Sequence, residues 1–260
     1  MHESFRLRLL KMASSLASNR IVCRFVDNSA RMLYGILGIG TASTVDSGEM
    51  ASIRTCGPGA VVFDVGANVG QFANLVQSVL KPPYRLYCFE PSKEAFLQLT
   101  KNTSNATLSN IALGDSPGRR ALHSDWPGSG LASFTSRNLE HYGISFSHSE
   151  TVEVDTLDRV CAAFGIDAID LLKIDVEGHE LDVLRGGGGL FERRAIRAVQ
   201  FEFGGSNIDT RTYFRDFFYF FRERGMMIHR ILPSGHLLPI SRYREIDEQF
   251  RTTNFLALRL

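Results

Sequence analysis

Cysteine is scarce in this chain, with four in 260 residues, at positions 23, 56, 88 and 161, and no C-x-x-C pairing. In a chain long enough to bury its own core, that spacing excludes a disulfide-stapled scaffold, and the expected compartment is the reducing cytoplasm. An excess of one charge is also lacking. Lys and Arg total 29 against 28 for Asp and Glu, which leaves no broad field to draw the protein onto nucleic acid. No run reaches the ~18 uncharged apolar residues of a membrane span, and Lys11 interrupts what could have been a signal-peptide core, so a soluble, unexported protein is expected. What the chain does contain is 44% hydrophobic residues, enough for a sizeable globular core.

The pattern divides at about residue 55. Over residues 1–55, Phe5, Leu9, Met12 and Leu16 recur at helical spacing, and Arg6, Arg8, Lys11, Arg20 and Arg24 make the stretch locally basic. Two readings stand side by side: a helical cap packed on the main domain, and a basic amphipathic helix in peripheral contact with a membrane. From residue 56 to 260, short apolar runs alternate with helical patterns. Strands are expected over 60–65, 85–89, 107–113, 169–174 and 199–203, and helices over 71–80, 93–101, 158–164 and 180–185. The segments 226–232 and 254–260 complete the pattern as an antiparallel edge hairpin, giving a seven-stranded, mostly parallel α/β sheet with helices on both faces. The Gly- and Ser-rich stretch 114–149 reads as an insertion or substrate-facing loop. In "TYFRDFFYFFRERG" the stripe Tyr213, Phe214, Phe217, Phe218 and Phe221 reads as core, with a lipid-acceptor groove as the alternative.

In such sheets ligands bind at the carboxyl ends of the strands, and the motifs fall there. "VVFDVGANVGQF", residues 61–72, runs from a strand into a turn containing Gly66, Asn68 and Gly70, residues that tolerate left-handed backbone angles and admit close approach. The dinucleotide fingerprint G-x-G-x-x-G fails, because Asn68 and Gln71 stand where it needs glycine. Instead an acid, Asp64, precedes the turn, and a second, Glu90, ends the next strand in "LYCFEP". A carboxylate at that strand end can take both hydroxyls of a ribose, while an acid in the turn suits a ligand carrying an ammonium group. A nucleoside with an amino-acid tail is S-adenosyl-L-methionine.

In order, "FDVGANVGQF", "CFEPSKEAF", "NIALGD", "VDTLD", "IDLLKIDVEGHELDVLRGG" and "FEF" resemble the motifs of the FkbM-type methyltransferase family. The resemblance spans residues 60–204 and implies a class I methyltransferase fold that uses S-adenosyl-L-methionine. It further implies methylation of a hydroxyl on a sugar, glycolipid, polyketide-type product or other small metabolite. Carried over, Asp64, Gly66, Ala67, Asn68 and Gly70 belong to the cofactor turn, Glu90 with Pro91 to the ribose, Asn110, Ile111 and Ala112 to the adenine, and Asp175 to the reacting methyl. N-methylation and a non-catalytic cofactor-binding scaffold are the rival readings.

"LLKIDVEGHE" places charge on alternate residues, Lys173, Asp175 and Glu177, at a strand end. A lysine in a central strand needs a partner, for which Asp155 or Glu202 is expected. Transfer to a hydroxyl requires removal of its proton as the bond forms. His179 is the expected base, with Glu177 and Asp175 as the other catalytic candidates. Asp175, Glu177, His179 and Glu202 together could also gather a metal. The acid-asparagine pair that Mg-dependent catechol-type enzymes place after the fifth strand is not reproduced in "FEFGGSN", so metal-free transfer is expected.

Overall fold

The computed structural model describes residues 11, 14, 19–40 and 48–260. The Phe5, Leu9, Met12 and Leu16 stripe lies outside the described residues. Helix α1 (Arg20–Ile36) starts at Asn19, whose side chain accepts the Ile21 N–H at 2.9 Å. None of its residues is buried. A single turn, α2 (Met50–Ile53), then leads into the main body.

From there strand and helix alternate as β1 (Val61–Val65), α3 (Gln71–Val79), β2 (Arg85–Phe89), α4 (Lys93–Asn102) and β3 (Thr107–Ser109). After β4 (Ala112–Leu113), β5 (Gly118–Ser124) and β6 (His148–Asp155), the alternation resumes with α5 (Leu157–Phe164), β7 (Ile169–Ile174), α6 (Glu180–Arg185), α7 (Gly188–Glu192) and β8 (Ile196–Phe203). The chain closes with α8 (Ser206–Thr210), α9 (Phe214–Glu223), β9 (Met226–Ile231), β10 (Leu237–Ile240) and β11 (Thr253–Arg259).

The central sheet has the order β10-β9-β11-β8-β7-β1-β2-β3. β8, β7, β1, β2 and β3 run parallel, and β11, β9 and β10 are antiparallel. Alternating residues feed two cores. Phe63 and Val65 pack with α5, α6 and α9 on one face, while Val62 packs with Phe72, Val76 and Leu99 of α3 and α4 on the other. The aromatic stripe is core: Phe214, Phe217, Phe218 and Phe221 are buried, and Phe217 stacks on Phe201 of β8. That packing leaves no lipid groove along the stripe.

The sheet departs from the sequence reading in three respects. It has eight strands rather than seven, because Leu237–Ile240 pairs on the outside of β9; Pro239 is tolerated there at the free edge. The expected strand over 107–113 breaks at Asn110 and Ile111, so that β3 pairs with β2 while β4 pairs with β6. The stretch 114–149 is not simply a loop. It supplies β5 and, with β4 and β6, a second sheet in the order β4-β6-β5 over a small core of Ala112, Leu122, Val152 and Val154.

Candidate active site

β1, β2, β7 and β8 end at one cavity of about 470 Å³, within the ~300–1,000 Å³ of small-molecule sites. The turn after β1 forms its floor. Gly66 has φ +77°, and a Cβ there would lie 1.8 Å from the Asp175 carbonyl oxygen. Glycine is therefore required by the crossing of two backbones, not only by ligand approach as the sequence suggested. Gly70, at φ +93°, is similarly pressed against Thr103 of the α4 end. Asn68 takes the left-handed conformation, with φ +46°.

Glu90 is held in place from both sides. One carboxylate oxygen accepts the Asn68 N–H and the other the Ser92 N–H, each at 2.8 Å. Each oxygen keeps a lone pair for a further donor. Burial pushes the carboxyl up to about 7 against the opposing pull of those two amides. The Asn110 amide donates to the Glu90 and Pro91 carbonyls at 2.8 and 3.0 Å, and so fixes the turn that presents the carboxylate.

Lys173 sits beside Asp64 in strand register. Its Nζ lies 3.1 Å from Asp64, 3.6 Å from Asp175 and 3.2 Å from the Gly66 carbonyl oxygen, to which it donates. The expected partners were different: Asp155 pairs instead with Arg159, and Glu202 makes no ion pair with the lysine. Burial works against the ammonium, but Asp64 and Asp175 outweigh it and hold the lysine charged. Burial likewise raises Asp64, and Lys173 counters it.

The expected alternation of Lys173, Asp175 and Glu177 stops with β7 at Ile174. Glu177 turns out of the strand at φ +53°, followed by Gly178 at φ +99°. Its carboxylate meets Arg137, whose Nε also lies 3.3 Å from Asp209. Burial and the neighbouring Asp175 push Glu177 up to about 8, and Arg137 limits the rise. Glu180 accepts the Val176 and Gly178 N–H groups and thereby ties the turn to the start of α6.

Gly66, Ala67, Asn68, Glu90, Pro91, Ala112, Asp175 and Glu177 line the cavity. Asp64, Gly70, Asn110, Ile111 and His179 stand behind that wall. Both ring nitrogens of His179 are engaged, Nδ1 with Asp182 at 2.9 Å and Nε2 with the Thr135 hydroxyl at 3.0 Å. The imidazole thus joins α6 to the segment 129–134, which forms the opposite cavity wall. That wall and Leu122 fall in the stretch 114–149, read from the sequence as an insertion or substrate-facing loop without naming residues, whereas Phe72 and Leu113 were not expected at the site. Glu202, expected from the sequence as a partner of Lys173 or a metal ligand, also lines the cavity. Burial and the nearby Asp175 raise its carboxyl well above the ordinary range. Among the described residues no group of three or more His, Cys, Asp or Glu is placed to hold a metal ion.

The profile of the Methyltransferase FkbM domain matches residues 64–226, more than half of the chain. The chain belongs to this family. Its relatives include the 2-O-methyltransferase NoeI of Sinorhizobium fredii, 32% identical over 142 residues, covering 50% of this chain and 58% of the relative. The hexuronic acid methyltransferase AglP of Haloferax volcanii is 31% identical and covers 48% and 49%. The 31-O-demethyl-FK506 methyltransferase FkbM of Streptomyces tacrolimicus is 31% identical and covers 50% and 60%. The chain thus spans 49% to 60% of the length of these three relatives.

The family's cofactor is S-adenosyl-L-methionine, and the cavity suits it. Glu90, with one lone pair left on each oxygen, matches a ribose diol. Phe89, Ala112, Leu113 and Leu122 give an apolar stretch for a nucleobase. The carboxyl groups of Glu49, Glu90, Asp175, Glu177 and Glu202 give the wall oxygen acceptors suited to the ammonium end of such a ligand.

Proposed function

We propose that this chain is an S-adenosyl-L-methionine-dependent O-methyltransferase acting on a hydroxyl of a small metabolite, sugar, glycolipid or polyketide-type acceptor. The observation that carries the reading is the convergence on one cavity of Glu90, primed by two backbone amides, and the carboxylates at the ends of β7 and β8. Relatives named for O-methylation support an oxygen acceptor. The free state of all four cysteines supports a reducing compartment such as the cytoplasm.

Held by Glu90 and the turn after β1, S-adenosyl-L-methionine would supply an electrophilic methyl group, and the task left to this chain would be to orient the acceptor hydroxyl and take up its proton. Glu202 fits the role of base. Strand register continues from the Ile174–Phe201 pair to set Glu202 beside Asp175. Among the carboxylates of the wall, Glu90 is held by amides, Glu177 by Arg137 and Asp175 by Lys173, whereas Glu202 has no hydrogen bond or ion pair among the described residues. Burial and the neighbouring Asp175 make this carboxylate a stronger base than an ordinary glutamate. His179 then serves as a positioning residue that secures the 129–134 wall through Thr135.

The test is transfer of methyl-labelled cofactor to a panel of hydroxylated sugars, free and lipid-linked. The reading expects label in alkali-stable ethers. Label confined to amines or esters would contradict it.

A further inference from the structure

Helix α1 carries a wide apolar face that no other element among the described residues covers. Ile21 is 77% exposed, Phe25 73%, Met32 66% and Ile36 60%; Val26 and Leu33 are exposed beside them. At 100° per residue, Ile21, Phe25, Met32 and Ile36 fall within about 60° of one another. Arg20, Arg24 and Arg31, all exposed, gather within about 40° along the polar side, with Asp27 as the single acid of the helix. Arg6, Arg8 and Lys11 precede them in the sequence. A monomer rarely leaves so much contiguous apolar surface in water.

We infer that α1 is an interfacial helix that seats the chain on an anionic lipid surface, its apolar face entering the headgroup boundary and its arginines meeting lipid phosphates. The charge selects this occupant. Three arginines against one aspartate complement an anionic surface, whereas a second copy would bring the same cations together. Among the described residues no helix is long and apolar enough to cross a membrane, so the contact lies on the surface.

The helix is also fixed to the body at the cavity. Tyr34 lies under the Arg251 guanidinium at 5.4 Å, and the Gly40 N–H donates at 2.8 Å to the carbonyl of Thr252, which lines the cavity. Gly38, at φ +73°, leaves no room for a Cβ beside the Ile231 carbonyl. Lipid seating would therefore hold the cavity close to the surface, which, on the methyltransferase reading above, favours a lipid-linked hydroxyl acceptor.

The test is sedimentation of the full chain with vesicles of phosphatidylcholine alone and of equimolar phosphatidylcholine and phosphatidylglycerol. Pelleting is expected with the anionic vesicles and to weaken at high salt. Phe25→Glu/Met32→Glu should abolish it, and Arg20→Gln/Arg24→Gln/Arg31→Gln should reduce it by about tenfold or more. Calorimetric binding of S-adenosylhomocysteine should be unchanged in both variants, which establishes folding and separates this proposal from the catalytic one. Failure of the wild type to pellet, equal pelleting with both vesicle types, or unchanged pelleting of Phe25→Glu/Met32→Glu would overturn the inference. So would a dimer in velocity sedimentation that the same substitutions dissociate, without vesicle binding, because the face would then belong to a second copy.

Discussion

Lys173 and Asp64 lie side by side on paired parallel strands, 3.1 Å apart and almost fully out of solvent, and this contact joins β1 to β7 beneath the cavity. Charge attraction, with the ammonium within hydrogen-bonding reach of the carboxylate, holds the pair. Removing one member strands the other. Lys173→Met is expected to lower unfolding free energy by about 3–5 kcal/mol, and Asp64→Asn/Lys173→Met to recover a substantial part of that loss. Urea denaturation at neutral pH measures both, and a single variant as stable as wild type would contradict the coupling.

Gly66→Ala tests whether the turn is set by backbone crossing. The new Cβ would collide with the Asp175 carbonyl at 1.8 Å in a left-handed conformation, a combined penalty of roughly 2–4 kcal/mol. A lowered thermal midpoint of the apo chain is expected, independent of cofactor. A variant with wild-type stability and impaired cofactor binding would instead assign Gly66 to ligand approach alone.

Stability should also fall as pH rises through neutrality. Glu177 is raised from 4.5 to about 8 and Glu90 from 4.5 to about 7. The folded state therefore binds more protons than the unfolded one between those limits. The stability these two groups contribute is complete below about 4.5 and is lost by about 8. The apo thermal midpoint should be higher at pH 6 than at pH 8, and Glu177→Gln should flatten the dependence. A flat wild-type profile over this range would contradict the burial of these carboxyls.

How much of this was legible in the sequence follows the range of each interaction. The β1 run, Glu90 and the strand before Asp175 depend on local periodicity, and they stand where the pattern placed them. Partners set by topology were hidden. Lys173 finds Asp64 through strand register, and Arg137 reaches Glu177 from a stretch read as a loop because Gly128, Gly130 and several serines punctuate it. β10 was masked by Pro239, which argues against a strand except at an edge. The contact of His179 with Thr135 was hidden because nothing nearby in the sequence announces it, although Asp182, three residues on, was an available signal.

Glu202→Gln separates the base from the binding site. Turnover on the true acceptor is expected to drop about 10²- to 10⁴-fold, with S-adenosylhomocysteine affinity retained and the acidic limb of the pH profile lost. On the proposed assignment His179→Ala should keep that limb, its ring nitrogens being engaged by Thr135 and Asp182. A lost limb in His179→Ala with normal pH dependence in Glu202→Gln would reverse the two roles.

Titration calorimetry with S-adenosylhomocysteine tests the central claim most directly, because it needs no acceptor. The wild-type chain is expected to bind one equivalent. Glu90→Ala, which removes the carboxylate held by the Asn68 and Ser92 amides, should weaken binding by about 1–3 kcal/mol while the fold persists. Absence of binding to the wild type, or equal affinity in folded Glu90→Ala, would contradict the assignment of this cavity to the cofactor.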